Sequence, residues 1–165
     1  VAQEGFSVLA VDGSADALER LRQGLIDRSI PTSSVCAQQA DLTRYETPIK
    51  IDCIVDICTL QHLAGSDAKA FIQRAKRWLK PNTLNNGWPA TGWFFSMMAA
   101  PGSDFSDEEK PTAIDKDWIA EAFAGYSVRI GHESVTRPSG RQVNHWIIEA
   151  RPADVIGTVP CLCPM

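Results

Sequence analysis

The sequence predicts an α/β fold: a mostly parallel sheet with helices on both faces, closed by a C-terminal antiparallel hairpin. Three observations carry that expectation. Two short runs, FSVLAV before Asp12 and IDCIVDI over Ile51–Ile57, are nearly continuous in apolar residues. They lack the strict alternation of a half-exposed strand, which suits strands buried on both faces of a parallel sheet. Segments with a 3.6-residue apolar stripe separate such runs, so strands and helices alternate along the chain. Last, two long β-like runs, Tyr126–Val135 and Gln142–Ala150, flank the turn sequence Arg137-Pro138-Ser139-Gly140.

The first run ends at Asp12, and Ser14 is placed to cap the helix that follows. A carboxylate at the carboxyl end of a buried strand, beside a helix start, stands where open α/β sheets bind ligands. An ionised carboxylate also accepts from two vicinal ribose hydroxyls at once. The run therefore reads either as the ribose-binding strand of a nucleotide-cofactor fold or as a strand whose Asp12 merely opens the next helix. That helix is expected from Ala15 to Arg28, with Leu18, Leu21, Leu25 and Ile26 on one stripe, and Ser29-Ile30-Pro31 ends it. A second strand near Ser33–Gln38 leads to Ala40-Asp41-Leu42, and the third is Ile51–Ile57.

The next helix spans Ser66–Leu79, with Ala68, Phe71, Ile72, Ala75, Trp78 and Leu79 inward, and Lys80-Pro81-Asn82 stops it. Arg74, Lys76, Arg77 and Lys80 gather at its end, where cations complement the helix dipole. Thr83–Thr91 reads as an exposed loop, Gly92–Met98 as the fourth strand, and Pro101–Pro111 as an acidic loop. A short helix with Trp118, Ile119, Ala122 and Phe123 inward runs to Gly125. Residues 1–152 are expected to form one domain and 153–165 a tail.

The 165 residues, 44% of them hydrophobic, are enough for one domain with a core. A net charge of −4 with no long basic run gives no support for a nucleic-acid partner or an anionic membrane surface. No stretch has the length and apolarity of a membrane span or the architecture of a signal peptide. The five cysteines (Cys36, Cys53, Cys58, Cys161 and Cys163) are odd in number and fit reduced, buried thiols of a cytoplasmic protein. Cys161-Leu162-Cys163 has no partner pair at zinc-ligand spacing, so no metal is expected. There is no G-x-S-x-G elbow, no phosphate-binding P-loop and no zinc-type histidine pair.

In order, these segments resemble a class I S-adenosylmethionine-dependent methyltransferase over most of residues 2–151. Gln3 to Ser14 is similar to the family's second strand, whose terminal acidic residue holds the cofactor ribose; that maps to Asp12, with Gly13 and Ser14 beside it. Ala40-Asp41-Leu42 resembles the segment that meets the adenine, its amino group taken by Asp41. Asp52 to Leu63 resembles the fourth strand and its outgoing turn, implying backbone contacts to the methionyl end around Cys58, Thr59 and Leu60. Trp78-Leu79-Lys80-Pro81 resembles the junction before the fifth strand, and the final hairpin strands six and seven. The resemblance implies a truncated Rossmann-like fold, S-adenosylmethionine as cofactor and a small-molecule methyl acceptor. Two departures stand out. Gly13 leaves bare the adenine face that the family usually covers with an apolar side chain. The family's first strand and glycine-rich turn have no counterpart here, so the strands at Val8–Asp12 and Asp52–Ile57 are expected to pair directly or to have the gap filled by another chain, as in a homodimer.

Methyl transfer to an already nucleophilic acceptor needs alignment more than a base. Where a base is needed, His62 is the candidate, because it follows the turn assigned to the methionyl end and its free pKa lies near 7; the alternative is that it caps a helix or bonds to the backbone. Asp56, inside an apolar strand, must be paired or neutralised. It is read either as a partner of the methionyl amino group or as a ligand of a helix terminus. Trp88 and Trp93 border the Asn82–Thr91 stretch and read as a substrate lid or as core or dimer contacts. Two further functions stay open: a non-catalytic remnant of the same fold that binds or self-associates, and a dinucleotide-dependent oxidoreductase, for which Asp12 would also serve.

Overall fold

The alternation of apolar runs and amphipathic segments resolves, in a computed structural model that describes residues 2–63, 65–81, 83–85, 88–90, 92–105 and 114–153, into two units, residues 1–46 and 47–165. In the first unit β1 (Val8–Asp12) leads through α1 (Ala15–Asp27) to β2 (Val35–Gln39). The two strands pair in parallel from Val8↔Val35 to Asp12↔Gln39. Ser14 caps α1 as its sequence position predicts, its hydroxyl accepting from the Ala17 N–H at 3.2 Å. Leu18 and Leu25 are the buried part of the apolar stripe. The helix ends at Ser29, which takes a left-handed φ of 54° while its N–H bonds the Ile26 carbonyl. Phe6 corrects the reading of a strand buried from its first residue. It is 62% exposed, and the strand begins at Val8 and is only half-buried throughout. Among the described residues β1 has β2 as its one strand neighbour.

The second unit contains β3 (Cys53–Ile57), α2 (Gly65–Trp78), β4 (Thr83–Asn85), β5 (Trp88–Ala90), β6 (Trp93–Ala99), α3 (Lys116–Ala122), β7 (Tyr126–Thr136) and β8 (Gln142–Pro152). Its main sheet has the order β3-β6-β8-β7. The β3–β6 pair is parallel, Cys53↔Trp93 to Ile57↔Met97, and the β6–β8 and β8–β7 pairs are antiparallel. Parallel crossover first and antiparallel hairpin last is the order predicted from sequence. Where the sequence reads as a loop, β4 and β5 form a short antiparallel ladder from Thr83↔Ala90 to Asn85↔Trp88.

Side chains alternate across a sheet, and the register sorts them here. Ile54, Asp56, Phe94, Ser96, Met98, Ile148, Ala150 and Tyr126 share one face, and seven of these eight are buried. The amphipathic stripe of α2 and the short α3 supply the cover. Phe94 meets Phe123 edge-to-face at 5.4 Å, Phe123 meets Tyr126 at 5.5 Å, and the Tyr126 hydroxyl donates to the Ile72 carbonyl at 3.1 Å. Burial pushes the Tyr126 phenol above its ordinary pKa. The other face is more open: Val55 is 54%, Ile57 50% and Trp93 37% exposed, with the Arg151 guanidinium 3.4 Å from the centre of the Trp93 ring. Cys53 stands on that face, on the terminal strand of the sheet, and is exposed. Cys36 is exposed too and Cys58 half-buried, which corrects the expectation of buried thiols. Cys161, Cys163 and the rest of the tail beyond residue 153 lie outside the described residues, as do residues 106–113 and the side chain of Trp88.

Phe94 is completely buried between sheet and helices. Phe94→Ala is expected to cost about 3–5 kcal/mol, since a large aromatic leaves a cavity that a close-packed sheet cannot collapse around. Urea unfolding checks this; a loss under about 1 kcal/mol would place the core elsewhere.

Candidate active site

The parallel pairing of β1 and β2 brings five of the predicted site residues to one edge. Asp12 ends β1 opposite Gln39, and Asp41 follows two residues beyond, so both carboxylates stand at the carboxyl end of the strand pair. Leu42 follows Asp41, and Gly13 and Ser14 follow Asp12. Main-chain and side-chain bonds tie the edge together. The Ala40 N–H donates to the Asp12 carbonyl at 3.0 Å, and the Gln39 side-chain amide donates to the Gly13 carbonyl at 3.1 Å.

Both readings of Asp12 meet in one side chain. Its Oδ1 accepts from the Ser14 N–H at 2.8 Å, so it does help to open α1. Its Oδ2 has no hydrogen bond among the described residues, and the residue is half-buried. The carboxylate is thus held in place by one oxygen and keeps an acceptor on the other. Asp41 is exposed and oriented by Thr43, whose N–H and hydroxyl both reach Asp41 Oδ1 at 2.8 Å. A Cβ built on Gly13 would meet nothing nearer than the Ala40 carbonyl oxygen at 3.8 Å, so the bare position has room for a side chain.

Cys58, Thr59, Leu60 and His62 come together in the second unit, in the turn that leaves β3. Cys58 adopts a left-handed φ of 60°, which a residue with a Cβ rarely takes. Its N–H donates to the Met97 carbonyl at 2.8 Å. The Thr59 and Leu60 N–H groups both donate to Asp56 Oδ1, at 3.0 and 3.2 Å, while the Ser96 hydroxyl donates to Asp56 Oδ2 at 2.5 Å. Of its two predicted roles, Asp56 therefore has the one of binding a helix terminus, at the start of the 3-10 turn Leu60–His62. Gln61 is buried alongside, accepting the Ala99 N–H at 2.6 Å. His62 is exposed, its Nε2 3.4 Å from the Gln61 amide nitrogen.

Sequence reasoning missed Ser96 and Gln61. For Ser96 a signal existed: it is the lone polar residue in GWFFSMM, and the parallel register sets it directly across from Asp56. His132 and His145 belong to the hairpin. His132 packs edge-to-face on Trp146 at 5.2 Å, and burial pulls His145 below the ordinary imidazole range. Among the described residues no group of three His, Cys, Asp or Glu is arranged to hold a metal ion, and no helix is long and apolar enough to cross a membrane.

Burial holds the Asp56 carboxyl above the usual carboxylate range; hydrogen bonds from Ser96, Leu60 and Thr59 oppose that shift without cancelling it. The folded pKa thus lies above the unfolded one. The stabilisation from Asp56 is full below the unfolded pKa and is lost as pH rises through the folded value. Asp56→Asn keeps an oxygen for the two N–H groups and cannot titrate. The wild type is therefore expected to lose stability relative to this variant as pH is raised from the ordinary carboxylate range toward neutrality. Parallel urea midpoints against pH would discard the assignment if both proteins followed one profile.

Comparison with known proteins fits this geometry. The family model described as a methyltransferase domain matches residues 1–82, roughly half of the 165. No curated protein matches the chain in sequence. Among solved structures, a SAM-dependent methyltransferase from Methanosarcina mazei superposes with a TM-score of 0.69 at 10% identity, covering 91% of this chain and 84% of its own. The N-methyltransferase NodS from Bradyrhizobium japonicum, in complex with S-adenosylhomocysteine, gives 0.63 at 14% identity over 87% of this chain and 65% of its own. Magnesium protoporphyrin IX methyltransferase from Synechocystis, with bound SAM, gives 0.63 at 17% identity over 91% and 61%. The chain thus spans less than two thirds of the last two proteins. It has the fold of the class I S-adenosylmethionine-dependent methyltransferases, and its residues 1–82 match the model of the methyltransferase-domain family.

Proposed function

We propose that this chain binds S-adenosylmethionine and takes part in transferring its methyl group to a small-molecule acceptor. The observation that carries the reading is the placement of Asp12 and Asp41 on one edge of the β1–β2 pair, with Asp12 Oδ2 left as an acceptor. Ribose and the adenine amino group offer donors, which acidic side chains at a strand edge are suited to take. Asp12 would hold the ribose and Asp41 the amino group, with Gly13, Ser14 and Leu42 lining the base. The turn supports the methionyl end. Its three N–H groups are taken by Met97 and Asp56, and the Thr59 and Leu60 carbonyls accept from His62 and Leu63. Among the described residues that leaves the Cys58 carbonyl, an acceptor suited to an ammonium group. When bound, S-adenosylmethionine supplies an electrophilic methyl group on a cationic sulfur. The chain's own part is to grip and orient, with exposed His62 as proton acceptor where the methyl acceptor needs one.

A second reading, a self-associating module of the same fold, is favoured by one feature. β3 is paired on one edge among the described residues, and Val55 and Ile57 on it are about half exposed. Sedimentation should then show a homodimer that Val55→Lys dissociates; a monomer at all concentrations removes the reading.

Calorimetric titration tests the main proposal. Heat is expected with S-adenosylhomocysteine and none with NAD, and the reverse pattern supports an oxidoreductase instead. Asp12→Ala should abolish nucleoside binding while the far-ultraviolet circular dichroism stays unchanged; retained affinity would show that the ribose is held elsewhere. Gly13→Val should tighten S-adenosylhomocysteine binding about fivefold by burying roughly 40 Å² of apolar surface on the base. Weaker binding in that variant would place the base away from residue 13.

A further inference from the structure

We infer that Asp56 is a positioning residue for the methionyl end of the cofactor, acting through the main chain of Cys58–Leu60; this rests on the reading of that turn given above. Three observations support it. The first is conformational: Cys58 holds a left-handed φ of 60° without being glycine, so its surroundings must impose that geometry. The second is a donor account. Of the three N–H groups in Cys58–Leu60, Asp56 Oδ1 takes two, at 3.0 and 3.2 Å, and the Met97 carbonyl takes the third. With those donors bound inward, the turn keeps the Cys58 carbonyl for a ligand. The third is placement. Asp56 is 6% exposed in a sheet face lined mainly by Phe94, Met98, Ile148 and Ala150, with Ser96 as the polar residue directly across from it, and an apolar residue there would carry no hydrogen-bonding demand of its own.

Among the described residues, each hydrogen bond of this carboxylate runs to the turn or to β6. Ser96 fixes its second oxygen, and Gln61, one residue past the turn, is fastened to the Ala99 N–H of the same strand. The turn is therefore suspended from β6 at Met97, Ser96 and Ala99. Without Asp56, one buried and one part-buried N–H group lose their acceptor, and Cys58 has less to hold it in a disfavoured conformation. The carbonyl would then swing away from the direction in which an ammonium group meets it.

The test compares two ligands, S-adenosylhomocysteine, which has a methionyl-derived end, and adenosine, which lacks one. Asp56→Ala is expected to weaken S-adenosylhomocysteine about tenfold and to leave adenosine within about twofold, at a temperature where the protein is folded by circular dichroism. Asp56→Asn keeps the acceptor oxygen and should restore S-adenosylhomocysteine binding to within about threefold of wild type. If Asp56→Ala does not fold, Ser96→Ala, which frees one carboxylate oxygen, is expected to show the same split on a smaller scale. Equal losses for both ligands would make Asp56 a purely structural residue, and unchanged affinity for both would also overturn the inference. A wild-type chain that binds neither ligand overturns the methyltransferase reading and this inference with it. Wild-type binding with an indifferent Asp56→Ala overturns this inference alone.

Discussion

The second unit is organised around a carboxylate inside an apolar sheet. Burying Asp56 costs free energy unless its oxygens are occupied by donors, and the parallel register of β3 on β6 supplies one of them by setting Ser96 opposite. The other two come from the turn that follows β3, so strand pairing and turn conformation are coupled through one side chain. A register slip by one residue would move Asp56 to the open face with Val55 and Ile57 and set an apolar side chain in its place. The polar rung thus specifies the alignment of the parallel pair, and alignment decides how the chain leaves the strand.

In the first unit the same economy appears with an exposed carboxylate. Parallel strands that end together, at Asp12 and Gln39, put consecutive loops side by side, and the loops are stitched by Ala40 to Asp12 and by Gln39 to Gly13. Asp12 is fixed through one oxygen by the Ser14 N–H, which limits the rotamers it must surrender on binding a ligand. Opening a helix is therefore compatible with the proposed role of holding a ribose, because the first orients the group that the second would use.

Much of this was legible in the sequence because it is local. The stripe of Leu18 and Leu25 and the cap at Ser14 fix α1, and Ala68, Phe71, Ile72, Ala75 and Trp78 fix α2, whose start and end fall within a residue of expectation. The hairpin was readable from Arg137-Pro138-Ser139-Gly140, whose Gly140 takes φ 82°. What stayed hidden depends on neighbours that periodicity does not name. Phe6 and Cys53 are as apolar as any core residue, yet both are exposed, Phe6 ahead of the first residue of β1 and Cys53 on the terminal strand of its sheet. The short β4–β5 ladder lies in a sequence rich in Asn, Gly and Pro, where propensity points to a loop. The left-handed turn at Cys58 carries no glycine to announce it, and the N–H that follows it is held by the Asp56 side chain two residues back from Cys58.

A strand-end carboxylate by itself serves a dinucleotide as well as it serves S-adenosylmethionine, so the distinction must come from charge around it. A pyrophosphate needs main-chain N–H groups and the positive end of a helix turned toward it. At the start of α1 those features are used or opposed. The Ser14 N–H is bound by Asp12, the Ala17 N–H by Ser14, and Asp16 sits in the first turn. With Asp12 and Asp41 near the same strand ends, an anion brought there would be opposed by two carboxylates. A ligand with a cationic sulfur, an ammonium group and a nucleoside rich in donors meets the complementary field. The acidic strand edge therefore favours the sulfonium nucleoside over the dinucleotide on electrostatic grounds that do not depend on any motif.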